Sequence, residues 1–354
     1  MQLKMYAIDF AKASADLLDR AEVASSTQEP RYHPCMFVYR FRPEQEIDPD
    51  DPENAFDCKA ADAFVRKLIL RAEMAVRKSS LPEFEKGFFG AVLPLFRQTH
   101  DSIRVLCKEL YEAHGHTGDA LSLVREQIEK LFALQLVCED PNKWVPLYLK
   151  DGWRKAYEMF LHAQAEVADL PRFQEFITKH GPHCMEQLRL GYGVTDDEKK
   201  VVELKAAGQP VPPSLKQYAL EEFPTPGKAL SKLTDGNRKE FMKRWYVEYK
   251  RYCSFSHVLT PKVVLNQLQT HGVGVDPRRR TDFLNKHIEP ALILSYLAIG
   301  SAVAEINRVI GHNHEVLESL SELWETLRRG SLLGVAFWDM RVKDLLPQLI
   351  GATP

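Results

Sequence analysis

Residues 119–138 read DALSLVREQIEKLFALQLVC, and their apolar positions decide the fold class. Leu121, Val124, Ile128, Leu131, Phe132 and Leu136 recur at steps of three and four, the period of one helix face and not the alternation of a strand. Thr117 or Asp119 offers a side chain to cap the first turn, and Asp140-Pro141-Asn142 closes the last. The same period runs through most of the chain. Residues 57–79 place Ala60, Phe64, Leu68 and Ala72 four apart, and residues 101–113 place Ile103, Leu106, Leu110 and Tyr111. Residues 146–168, 236–255, 260–271, 281–310, 315–329 and 339–349 follow it too. Met36-Phe-Val-Tyr-Arg-Phe41 alternates like a strand and has no evident partner. The expected fold class is all-α.

The longest apolar run, ALILSYLAIGSAVA at 291–304, lies between Glu289 and Glu305. It falls short of the roughly 20 residues that span a bilayer, so a buried helix is expected there, started or kinked at Pro290. The opening residues, MQLKMYAIDF, are followed by Lys12, Asp16 and Asp19 and lack the apolar core of a secretory signal. The expectation is therefore a cytoplasmic protein without membrane association, whose six Cys, none in a CxxC pair, stay thiols. The 354 residues are 45% hydrophobic and 27% charged, which excludes a disordered or fibrous chain. With 47 basic and 49 acidic residues the net charge is −2, so no overall field points to nucleic acid or membrane.

The neutral total conceals two patches. Residues 43–57 (PEQEIDPDDPENAFD) hold three Pro and seven acids and read as an exposed acidic loop; they lack the central Gly and terminal Glu of a calcium-binding EF-hand loop. Between Lys228 and Arg251, eight basic residues face three acids, a local +5. Residues 193–235 mix Gly and Pro with short polar helical pieces and read as an insertion. The expected organisation is an N-terminal helical region at 1–99, a core at 100–310 carrying that insertion, and a C-terminal extension at 311–354.

Most familiar site motifs are missing. Pro226-Gly227-Lys228 has no leading strand and no upstream Gly at phosphate-loop spacing. His114/His116, His180/His183/Cys184 and His312/His314 do not supply a local set of three or four zinc ligands. No metal site and no cofactor are expected. GxSxG and HExxH are also lacking.

The segment 235–261, DGNRKEFMKRWYVEYKRYCSFSHVLTP, carries the functional signal. On a helix, Phe241, Met242, Trp245, Tyr246, Tyr249 and Tyr252 make a broad aromatic face, and Glu240, Arg244, Glu248 and Arg251 line the other side. Arg251 and His257 have five residues between them, a spacing that resembles the Arg-x(4–6)-His signature of the HEPN superfamily of helical bundles. Tyr252-Cys-Ser254-Phe-Ser256-His257, followed by Thr260-Pro261, resembles a Tyr-x-x-Ser-x-x-His element of a bacterial all-α, HEPN-like family. Upstream, Arg125-Glu-Gln-Ile-Glu129 before an apolar run ending in Asp140-Pro141 resembles that family's earlier helix.

The resemblance implies an HEPN-like helical bundle with extra N- and C-terminal helices, acting as a metal-independent endoribonuclease in phage defence or a toxin system. Such cleavage needs a base for the ribose 2′-hydroxyl, an acid for the leaving 5′-oxygen and a cation for the phosphoryl charge. His257 suits the proton work and Arg251 the phosphate. One Arg and one His serve half of two proton transfers, and the resemblance implies a homodimer that brings two copies together. Arg244, Lys250 and Ser256 are the candidates for holding RNA phosphates, Tyr252 or Phe255 for stacking an unpaired base, and Arg125 and Glu129 for an edge of the site. The alternative is a non-catalytic helical scaffold or sensor that binds a protein partner or nucleic acid through the basic face 228–251.

Overall fold

The computed structural model describes residues 36–38, 55–113, 117–167, 170, 173–253 and 277–330. Apart from helices, turns and one short 3₁₀ segment, these include a two-stranded antiparallel ribbon. It pairs β1 (Met36–Val38) with β2 (Ala55–Asp57), Met36 opposite Asp57 and Val38 opposite Ala55. The strand expected near 36–41 thus has a partner, found in the last residues of the stretch expected to be an acidic loop. Residues 43–54 lie outside the described residues.

The described residues fall into two compact units, one formed by 140–225 and the other by the segments before and after it. In the larger unit, α1 (Cys58–Lys78) is followed by α2 (Glu83–Ala113) and α3 (Thr117–Glu139). After the smaller unit come α7 (Pro226–Lys232), α8 (Gly236–Cys253), α9 (Pro277–Val309) and α10 (His314–Gly330). Helix α3 packs against α2, α7, α8 and α9, which explains why Ala120, Leu121, Val124, Ile128, Leu131, Phe132 and Val137 are all buried.

The core stripe of α1 is Ala61, Val65, Leu68, Ile69, Ala72, Ala75 and Val76. The four-spaced row Ala60, Phe64, Leu68, Ala72 enters it obliquely: Ala60 and Phe64 are half-buried and Leu68 and Ala72 buried. Four residues turn through about 400°, so a strict four-step row drifts some 40° per step around the helix.

Helix α2 begins at Glu83, well before the expected 101, because Gly87, Gly90 and Pro94 mask its pattern. Interior Gly costs about 1 kcal/mol and Pro about 3 relative to Ala. Burial of Phe88, Phe89, Leu93 and Phe96, each worth about 1.5–3 kcal/mol, offsets that cost.

Helix α9 continues through Pro290, so it does not start at that proline. Residues 290–309 are long and apolar enough to cross a membrane by composition, yet 89% of that window is buried within the protein. Gly300 lets α10 approach: a Cβ there would lie 2.6 Å from Trp324 Nε1.

The regions expected as extensions belong to this same unit. Lys67 pairs with Glu322 at 2.7 Å and Arg71 donates to Ser319 at 2.9 Å, tying α1 to α10. The expected division at 99 and 310 is therefore replaced by one larger unit interrupted at 140–225.

The smaller unit holds α4 (Pro141–Val167), α5 (Gln174–Tyr192), α6 (Asp196–Ala206) and the 3₁₀ turn Pro213–Tyr218. Asp140-Pro141, expected to end a helix, also starts one: Asp140 accepts from the Lys143 N–H at 3.3 Å, and Pro141 takes the first helical position. Helix α5 carries His180-Gly181-Pro182-His183 in its interior and not at an end. A Cβ on Gly181 would meet the Phe160 ring at 2.2 Å, so only glycine fits against that ring as placed. Thr195 and Glu198 form a capping box at the start of α6. Tyr157, Phe160, Met185, Leu188, Val202 and Leu220 form the core, and the insertion expected at 193–235 is better placed at 140–225.

Candidate nucleic-acid interface

Helix α8 is anchored at its start. Asp235 caps it by accepting the Arg238 N–H at 2.9 Å. Glu139, at the end of α3, accepts the N–H of Thr234 at 2.6 Å and of Asp235 at 3.3 Å, and the Thr234 hydroxyl as well. Arg238 belongs to the basic run but turns inward: it is buried and donates to Glu305 of α9 at 3.0 Å. The local +5 is thus a linear count that overstates the exposed charge.

Along the inner face, Phe241, Met242, Trp245 and Tyr252 are buried. Tyr246 and Tyr249 are half-buried and meet Phe132 of α3 edge-on, with centroids 6.0 and 6.2 Å away. The Tyr249 hydroxyl donates to Glu129 at 2.9 Å, and Arg125 donates to the same carboxylate oxygen at 2.8 Å. Burial, together with the Cys253 and Glu129 contacts, raises the Tyr249 phenol above its ordinary pKa, so it stays a neutral donor. Arg125 and Glu129, singled out on α3, therefore meet the last turns of α8 in one part-buried cluster.

The outer face carries Lys243, Arg244, Val247, Lys250 and Arg251, all exposed. Lys243 pairs with Glu240 at 2.8 Å, which holds that carboxyl below its usual value. Arg251 lies 3.5 Å from Glu248, with 41% of its side chain exposed, and Lys250 lies over the Tyr246 ring at 5.4 Å. Among the sequence candidates, Arg244, Lys250 and Arg251 share this surface. Tyr252 does not, and its expected role in stacking a base is corrected by its burial to 1% exposure. His257, Ser256 and Phe255 lie outside the described residues.

A second polar cluster, in the same unit, gave no sequence signal because its members are far apart in the chain. His100 Nδ1 is 2.8 Å from Ser295 Oγ, which donates to Gln127 Oε1 at 2.6 Å. His100 Nε2 lies 3.5 Å from Asp62, which also accepts from Tyr296 at 2.5 Å and from Arg104. Burial opposes ionisation of Asp62, but the His100, Tyr296 and Arg104 contacts outweigh it and hold the carboxyl below its ordinary value. An aspartate, a histidine and a serine in series suggest a nucleophilic relay, yet His100 is 1% and Ser295 0% exposed, so no substrate reaches the hydroxyl. The cluster is a structural clasp joining α1, α2, α3 and α9.

Among the described residues, no three His, Cys, Asp or Glu side chains gather as a metal ion would need. Comparisons with family profiles, curated proteins and solved structures found no match.

Proposed function

We propose that the chain is an RNA-binding, metal-independent endoribonuclease of HEPN-like type. The outer face of α8 holds phosphates, and Arg251 with His257 carries the cleavage. The observation that supports this most is the sorting of α8: its large aromatic rings pack inward, while Lys243, Arg244, Lys250 and Arg251 line the outside. Arg251 stands at the end of that row, where its guanidinium can fork onto a phosphate and offset charge growing on the phosphoryl oxygens. His257 takes the proton from a 2′-hydroxyl, and a second His257, brought by a homodimer, returns one to the leaving 5′-oxygen. Glu248 competes with phosphate for Arg251, so substrate binding exchanges one anion for another.

The test compares wild type, Arg251→Ala and His257→Ala in an RNA-cleavage assay containing EDTA, with folding checked by circular dichroism. The proposal expects cleavage by wild type and its loss in both variants. Equal behaviour of all three folded proteins would remove the nuclease assignment.

A second reading, a non-catalytic scaffold on the same face, is favoured by Val247, an apolar side chain 66% exposed amid the cations. Capture of a protein partner that Val247→Asp abolishes, with no RNA cut, would select it.

A further inference from the structure

We infer that the RNA held by α8 is base-paired and is gripped by its backbone without selection of sequence; this rests on the reading of α8 as the RNA-binding face. Proteins that grip single strands stack bases on accessible aromatic rings, each stack being worth about 1–3 kcal/mol. Helix α8 is rich in such rings and offers none of them squarely to solvent. Phe241, Trp245 and Tyr252 are buried. Tyr246 and Tyr249 stack on each other, centroids 5.9 Å apart at 27°. Both are half-buried, and their rings are also approached by Phe132, by Lys250 over Tyr246, and by Arg125 over Tyr249 at 5.9 Å.

The outward side chains are cations, Val247, Asn237 in the first turn and the acids Glu240 and Glu248. Lys243 and Lys250, and likewise Arg244 and Arg251, are seven residues apart, which sets each pair about 10.5 Å apart along a rigid helix. A fixed row of charges suits the regular phosphate array of a duplex, whereas a flexible strand pays ordering entropy without gaining a stack. Along α8 the one exposed side chain of the kind that reads base edges is Asn237, in the first turn, and the deep, narrow major groove of paired RNA denies its bases to Arg and Lys. What remains is shape and phosphate charge.

The experiment uses the full chain carrying His257→Ala, so that bound RNA is not cut. Fluorescence anisotropy compares two RNA duplexes of unrelated sequence, about two dsRNA-module footprints long, with each of their single strands, across a salt series. The expected result is that the two duplexes bind within about twofold of each other and at least about fivefold tighter than any single strand. The slope of log K against log salt should be about −3 to −4 for four phosphate contacts, and smaller by about 2 in the Lys243→Gln/Lys250→Gln variant. Single strands bound as tightly as duplexes, or a tenfold preference between the two duplex sequences, would overturn this inference and leave α8 as an RNA-binding face. Binding of no RNA at all would overturn the proposed function and this inference with it.

Discussion

Replacing Asp62 by Asn tests whether the buried clasp organises the larger unit. The carboxylate is 14% exposed and is approached by three groups on two helices, Arg104, His100 and Tyr296. Asparagine keeps the shape and can still accept from Tyr296, but it removes the charge facing Arg104, whose side chain is 23% exposed. Breaking a fully buried ion pair costs about 3–5 kcal/mol. Partial exposure, and Asp101 lying 3.8 Å from Arg104 as a substitute partner, reduce this to an expected loss of about 2–3 kcal/mol. Urea denaturation at pH 7 should show the lower midpoint with an unchanged slope. Hydrogen exchange should accelerate in α1, α2 and α9 but not in residues 140–225. A loss below about 0.5 kcal/mol, or equal acceleration in both units, would refute the reasoning, because surface substitutions behave that way.

The same carboxylate makes a pH prediction. Its folded pKa lies below the unfolded value of about 3.9, so its contribution is complete above that pH and disappears as pH falls through the folded value; the gap between wild type and Asp62→Asn should therefore narrow on acidification below about pH 4. Gly300→Ala forces a methyl against the buried Trp324 indole and should cost about 1–3 kcal/mol, read as a lower Tm. Tyr249→Phe removes the phenol from Glu129, and a double-mutant cycle with Glu129→Gln should return a coupling of about 1 kcal/mol, reduced from the buried case because Glu129 is 32% exposed. Thr195→Ala breaks the α6 capping box and should cost about 1 kcal/mol, with faster exchange confined to residues 140–225.

Helical period was legible where apolar residues outnumber breakers. Leu121 to Leu136 announces α3, and the helical period of 236–255 announces α8, within about two residues of the bounds Thr117–Glu139 and Gly236–Cys253. It failed where Gly and Pro interrupt a stripe whose partner is remote. Gly87, Gly90 and Pro94 hid the first half of α2, and Gly181-Pro182 hid α5. In both, burial against other helices outweighs local propensity, and no sequence window contains those helices. The pairing of β1 with β2 was hidden for a related reason: residues 39–54 separate the two strands.

By itself the sequence determined that this chain is helical, that residues 291–303 lie buried, and that α8 has one aromatic side and one charged side, because period and composition are local properties. Tertiary structure alone decided which charges count. Arg238 and Arg244 are six residues apart in one basic run, yet Arg238 is drawn inside by Glu305, 67 residues away, while Arg244 stays in water. Likewise Tyr252 and Tyr249 look alike on a helical wheel, and only packing buries the first and gives the second a carboxylate. The reason is desolvation: a charged or polar group moves inward only where a partner repays the loss of water, and that partner is set by the fold, not by sequence neighbours.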